Sequence, residues 1–182
     1  MMILAFAVME TNLVQQALNE FGALVVKKAQ DNLKTGGKFG THNASGNLSR
    51  SLTFKTKVNK NSLEFDFFAE SYWKELDFGT KGSKTSKKAP NSPYKASANI
   101  AAIDKWVVRK GLQGTRGAGG KFTSRKLMVA SITRSINTTG TPETKFFRSA
   151  FDIEYQNFDK VVVEKYGLDL ESFLKFTLKE SI

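Results

Sequence analysis

Cysteine is absent from this 182-residue chain, and histidine occurs once, at position 42. Without cysteine there is no disulfide framework and no thiolate metal site, a composition that fits folding in a reducing cytoplasm. The single histidine removes most chemistry that depends on imidazole. Thr41-His42-Asn43 bears a faint likeness to the start of a His-Asn-His nuclease, but that chemistry needs further histidines to bind metal and activate water. A Ser-His-Asp system would need the same His42, and no Gly-x-Ser-x-Gly elbow is present to hold the serine. The glycine-rich stretch 111–120 does not match Gly-x-x-x-x-Gly-Lys-Ser/Thr, and no strand leads into it. Glu70, Glu75 and Asp77 lie close together, a spacing common on solvated faces. The residues therefore point to no catalysis, no metal and no cofactor.

Long hydrophobic runs are also missing. The most apolar one, Met1 to Met9, is too short to span a bilayer and has neither a basic n-region nor a cleavage site. It reads as a strand buried in the chain's own sheet or as an apolar arm that docks elsewhere. No membrane association is expected.

Acidic residues are scarce in one third of the chain. Between Gly79 and Lys126 the only acid is Asp104, against twelve lysines and arginines. The net charge of the whole chain is +11, so the rest is balanced and the basic character belongs to this region. Two of its segments lack apolar periodicity: the Lys/Ser/Pro-rich stretch Gly79–Pro93 and the glycine-rich stretch Gly111–Gly120. Both are expected to be mobile loops that order on docking. Lys81, Lys84, Lys87, Lys88, Arg116 and Lys121 become candidates for contact with DNA or an acidic protein surface.

What is abundant is phenylalanine, with 15 residues against 4 tyrosines and 2 tryptophans, in a chain that is 40% apolar. That suffices for one domain with its own core. Leu13, Val14, Ala17, Leu18, Phe21, Leu24 and Val25 recur at helical spacing, predicting a helix from an N-cap at Thr11 or Asn12 to about Asn32. Leu52, Phe54, Thr56 and Val58 alternate with polar residues, as do Leu63, Phe65, Phe67 and Ala69. Around the turn Asn59-Lys60-Asn61 they predict an antiparallel hairpin over about 51–69. Short helices are expected over 71–78, from Ile100 to Gly111, and from Leu127 to about Asn137. A further helix begins near Phe146. Asp152–Val163 fits either its continuation or a strand, and Asp169 is expected to cap a last short helix. The fold class is α+β: a small antiparallel sheet packed by a long N-terminal helix and further helices. Residues 1–182 form a single domain, with 152–182 as a peripheral C-terminal extension.

Three segments carry a resemblance. Ser45-Gly46-Asn47-Leu48-Ser49-Arg50-Ser51-Leu52 follows the first helix. Ser71-Tyr72-Trp73-Lys74-Glu75-Leu76-Asp77-Phe78-Gly79-Thr80 follows the hairpin. Thr141-Pro142-Glu143-Thr144-Lys145-Phe146-Phe147-Arg148-Ser149-Ala150-Phe151 comes after the basic region. In this order they resemble the tail-completion and head–tail joining (neck) proteins of tailed phages, a group that includes minor tail protein Z. Gly46 and Gly79 are expected to permit sharp turns, Pro142 to sit in a helix's first turn, and Phe78 and Phe147 to pack in the core.

The resemblance implies a non-enzymatic virion subunit, assembled in the host cytoplasm, that forms a ring with copies of itself. Its partners would be portal or connector and tail proteins, with packaged DNA in the channel bound nonspecifically. Tyr72, Trp73, Leu76, Phe78, Gly79 and Thr80 are the candidate interface. The extra helix around Trp106, the second loop and the segment 152–182 depart from the simplest version of the family. A freestanding, sequence-nonspecific nucleic-acid-binding protein is the alternative.

Overall fold

A computed structural model describes residues 12–37, 40–59, 62–84, 88–116 and 119–180. The elements in chain order are α1 (Asn12–Lys34), β1 (Gly36–Gly37), β2 (Gly40–Thr41), α2 (Asn47–Ser51), β3 (Thr53–Asn59), β4 (Ser62–Phe68), α3 (Trp73–Phe78) and β5 (Thr80–Lys81). They continue with α4 (Ile100–Arg109), α5 (Arg125–Thr139), β6 (Gly140–Thr141), α6 (Arg148–Tyr155) and α7 (Phe158–Glu180). The class is α+β, as expected. The N-terminal run and the Lys60-Asn61 turn lie outside the described residues, as does Thr11, one of the two expected caps.

The apolar stripe of α1 explains its length. Val14, Ala17, Leu18, Phe21, Val25, Ala29 and Leu33 are all buried, spanning the helix at three- and four-residue intervals. On one side of it lies the β3–β4 hairpin, antiparallel from Thr53↔Phe68 to Asn59↔Ser62. The alternation is the expected one: Phe54, Thr56 and Val58 turn inward while Thr53, Lys55 and Lys57 face water. Gly22 of α1 sits beneath Phe54, where a Cβ would come within 2.4 Å of the ring, so the hairpin rests directly on helix backbone.

α6 and α7 also pack against α1. The phenylalanines join these layers. Phe21 stacks on Phe158 at 4.2 Å and meets the edges of Phe65 and Phe151 at 5.2 and 5.6 Å. Phe67 and Trp73 both approach Phe147, at 5.1 and 5.2 Å. Each such pair contributes about 0.5–1.5 kcal/mol beyond burial, so the aromatic seam is a main tie between α1, the hairpin, α3 and α6–α7.

The C-terminal third settles one open reading and corrects another. Asp152–Val163 contains no strand; a two-residue break at Gln156-Asn157 separates α6 from α7. Within 152–180, α7 packs on α1, and Phe158 and Asp169 both belong to that contact. Asp169 does not cap a last short helix, because α7 runs unbroken through it. Its buried carboxylate instead accepts hydrogen bonds from the Leu13 and Val14 N–H groups, at 3.2 and 3.1 Å, and so caps α1. The residue type is a good cap; the helix it serves lies at the other end of the chain.

The helices α4 and α5 pair with each other. Asn99 caps α4 through the Ala101 and Ala102 amides, and Ser124 caps α5 through that of Leu127. α5 ends at Thr139, two residues beyond the expected stop near Asn137, with Gly140 as its C-cap. Pro142 lies in the extended link before α6, not in a helical first turn, because α6 begins only at Arg148.

Candidate functional site

The three resemblance segments meet in one joint. From the first, Leu48 and Leu52 enter the core beside Ala29, Leu33, Phe146 and Ala150, the last two belonging to the third segment. A short helix the sequence did not announce, α2, places both leucines inward. Gly46 precedes it at φ 74°, and Ser51 Oγ accepts the Glu70 N–H at 3.0 Å, fixing the exit of the hairpin.

The second and third segments are bound through Asp77, which is fully buried at the end of α3. Its Oδ1 accepts the backbone N–H groups of Phe147 and Arg148, at 2.8 and 3.3 Å. Its Oδ2 accepts Arg148 Nε at 2.7 Å. The carboxylate therefore sits at the N-terminus of α6, where negative charge meets unpaired amides and the positive end of the helix. Arg148 also donates to the Asp77 carbonyl and to Glu143 Oε2, and its guanidinium lies 4.0 Å from the centre of the Phe78 ring. Backbone bonds extend the lock: the Thr144 N–H reaches the Leu76 carbonyl at 3.3 Å, and the Lys145 N–H reaches that of Asp77 at 3.1 Å. Lys145 takes φ 54° to do so.

Next to the carboxylate, β5 and β6 pair antiparallel, Thr80 with Thr141 and Lys81 with Gly140. Two glycines make that pairing possible. Gly79 has φ 70°, and a Cβ there would lie 2.6 Å from the Thr141 carbonyl oxygen. Gly140 has φ 76°, and its Cβ would lie 1.9 Å from that of Thr80.

The interface candidates divide. Gly79 and Thr80 are buried within the subunit, Trp73, Leu76 and Phe78 are half-buried, and Tyr72 is exposed. Burial, followed by the charge of Glu70, pushes the Tyr72 phenol above its usual value, so it stays protonated. Glu75 Oε2 is buried without a hydrogen-bond partner, the one such side-chain atom among the described residues.

The basic candidates are held more firmly than expected. The described parts of the first loop are not free arms, because they wrap the C-terminal end of α5. The Ser83 and Lys84 N–H groups donate to the Asn137 and Thr138 carbonyls at 2.9 and 3.1 Å. Lys81 exchanges backbone bonds with Tyr94 and Ala96, both 2.8 Å. Buried Ser92 donates its hydroxyl to the Gly79 carbonyl at 2.7 Å. Lys88 Nζ caps the helix end through Thr139 Oγ1 and the Gly140 carbonyl, a favourable place for a cation. Lys84 projects into water, and Lys87 lies outside the described residues.

In the second loop Arg116 and Lys121 are exposed, and Arg116 lies 5.1 Å from the centre of the Phe122 ring. That exposed arginine–aromatic pair was missed in the sequence, where six positions separate the two residues. The isolated bridge Arg116↔Phe122 and the Thr123 N–H to Thr115 carbonyl bond, 2.9 Å, bring them together.

No family model, curated protein or solved structure matches this chain.

His42 is half-buried. Burial and then the charge of Lys110 hold its imidazole below the usual value, so it is neutral at pH 7. Among the described residues no three histidines, aspartates or glutamates group as metal ligands, and no helix is long and apolar enough to cross a membrane.

Proposed function

We propose that this chain is a structural, non-enzymatic virion subunit of a tailed-phage neck, a head–tail connector or tail-completion protein. It forms a ring with copies of itself and joins portal or connector to tail around the DNA channel. The observation that carries the reading is the Asp77–Arg148 joint. Segments that suggest the family by order alone are bound to one another as a single unit, which supports treating them as one inherited device. The positive charge of the region 79–126 is then carried partly by the loop anchored to the end of α5 and partly by the α4–α5 pair. Such a surface screens passing phosphates without reading bases.

Electron microscopy of the purified protein, alone and with portal or connector, tests this reading. Annular assemblies are expected, and a chain that remains monomeric under both conditions overturns it. Replacing Lys81, Lys84, Lys87 and Lys88 by glutamate is expected to block neck assembly or DNA retention. Because Lys81 and Lys88 also hold the loop, the pair Lys84→Glu and Lys121→Glu provides a version that spares those bonds. Wild-type particle yield and infectivity from both variants would refute the role given to the charge.

The exposed Arg116–Phe122 pair favours a second reading, a freestanding protein that binds nucleic acid without sequence preference, since such pairs stack on bases. A gel shift with its salt slope separates the two. The neck reading expects weak binding by the free subunit, and the second reading expects tight binding that Phe122→Ala abolishes.

A further inference from the structure

The most apolar stretch of the chain, Met1 to Met9, has no part in the reading above and lies outside the described residues. It carries no charged residue, and only Glu10 and Thr11 separate it from α1. The place where α1 begins is therefore the place where this stretch is rooted.

Contacts at both ends of the α1–α7 packing fix that root. The Leu13 and Val14 amides are held by Asp169, in the middle of α7, at 3.2 and 3.1 Å. Further along α1, Phe21 stacks on Phe158, the first residue of α7, at 4.2 Å. The two helices thus run antiparallel, and α1 lies along α7 from Phe158 to Asp169. Beyond Asp169, α7 continues to Glu180, past the start of α1. The line of α1 extended backwards from Asn12 runs along that second half.

The surface waiting there is apolar. Tyr166, Leu170 and Leu174 follow one another at four-residue steps, so they form one stripe that passes Asp169. On the helix, Leu170 and Leu174 stand about a third of a turn round from Asp169, bordering the side that meets α1. All three are exposed, Leu174 to 51%. Gly167 adjoins the stripe with open space where a Cβ would stand. Glu171, the acid nearest to Leu170 and Leu174 beyond Asp169, is already paired with Lys175. Such a surface suits an uncharged, apolar occupant.

We infer that Met1–Met9 of the same chain lies along this stripe and covers it. The stretch starts beside the stripe and matches its chemistry. It also has the reach: nine residues span about 14 Å as a helix or about 30 Å extended, against about 7.5 Å from Asp169 to Leu174. The two-residue tether gives it a high local concentration at its own α7, which favours the same chain over the equivalent stretch of another copy. The inference selects the docking arm over the strand in the chain's own sheet, the two readings of Met1–Met9 that the sequence left open. It does not depend on the ring reading.

The cysteine-free chain makes the test clean. Full-length chains each carry Phe6→Cys with a second cysteine and are oxidised. With Leu174→Cys, a disulfide within one chain is expected. Links to Lys57→Cys or Val58→Cys, on alternate faces of β3, are expected to form more slowly. Those two sites also lie near the start of α1, where Gln15 Nε2 donates to Thr56 Oγ1 at 2.6 Å. A link to β3 as fast as that to Leu174 would place the stretch beside the hairpin and overturn the inference. Phe6→Cys and Leu174→Cys carried on different chains and linking as readily as on one would overturn it as well, by showing exchange between copies. So would the absence of any link to Leu174.

A truncation reads the covering itself. Deleting residues 2–9 is expected to raise the fluorescence of the hydrophobic dye ANS severalfold in a chain whose circular dichroism is unchanged. Leu170→Ser with Leu174→Ser in the truncated chain is expected to remove that rise. Phe6→Asp in the full chain gives the same readout without truncation. No rise in either folded variant, or a rise that the two serines leave intact, refutes the inference.

Discussion

The Asp169 carboxylate accepts the Val14 N–H at 3.1 Å across 155 residues of sequence. The same carboxylate takes the Leu13 N–H, so the first turn of α1 is completed from the middle of α7. Removing it leaves two amides without their acceptor at a largely buried helix end. Asp169→Ala is expected to cost about 1–2 kcal/mol, and Asp169→Asn less because an acceptor remains. Denaturant unfolding measures the loss. Faster hydrogen exchange at Leu13 and Val14 in the alanine variant would locate it; unchanged exchange there would contradict the cap.

Arg148→Ala is expected to cost more, about 3 kcal/mol, because it strips the ion partner from a carboxylate with no access to water. In the double variant Asp77→Asn with Arg148→Ala that orphaned charge is gone. The double variant is therefore expected to lose less than the two single losses summed, with a coupling of about 1–3 kcal/mol. Strict additivity would mean that the pair is not an energetic unit.

Much of the fold is written locally, and the joint is not. The stripe of α1 and the alternation of β3–β4 are readable because each needs only periodicities of 3.6 and 2. The caps at Asn99 and Ser124 lie beside the helices they serve. Asp77 and Asp169 give the same chemical signal, a short carboxylate suited to amides, but their partners are about 70 and 155 residues away. Nothing in the local pattern says which helix end each will meet. The first loop shows the converse: its lysines and prolines read as solvated chain, yet its main-chain groups are bound to α5. Asp152–Val163 read ambiguously because the run Val161-Val162-Val163 favours strands in isolation, and packing of Phe158 on Phe21 overrides that preference.

The glycines of the β5–β6 pairing should be intolerant of change, and Gly111 should not. Gly140→Ala places a methyl group against the Thr80 carbonyl, and is expected to cost more than 3 kcal/mol, roughly, or to prevent folding. Gly111 also has a positive φ, 61°, but no neighbour within 4 Å of a Cβ. Gly111→Ala is therefore expected to cost only about 1 kcal/mol. Equal losses in thermal melts would show that sterics at Gly140 are not the cause.

His42 gives the subunit a dependence on mild acid. Its folded pKa lies below the usual value, so the unfolded chain binds the proton more readily and stability rises with pH through that interval. Lowering the pH from 7.5 to 5.5 is expected to lower the melting temperature of the native chain. His42→Gln is expected to remove most of that drop, since the lowered carboxyl pKa values of Asp31, Glu143 and Glu171 act below this range. An identical pH response in the variant would exclude His42 as its source.

The debt of α1 to Asp169 also has a consequence in time. During translation α1 emerges first, while the acid that finishes its first turn emerges 155 residues after Val14. A ribosome-bound or prematurely terminated product carries α1 with its leading amides still seeking an acceptor. Only a subunit synthesised through α7 can close that loop, so broken chains are disadvantaged before they reach any growing assembly.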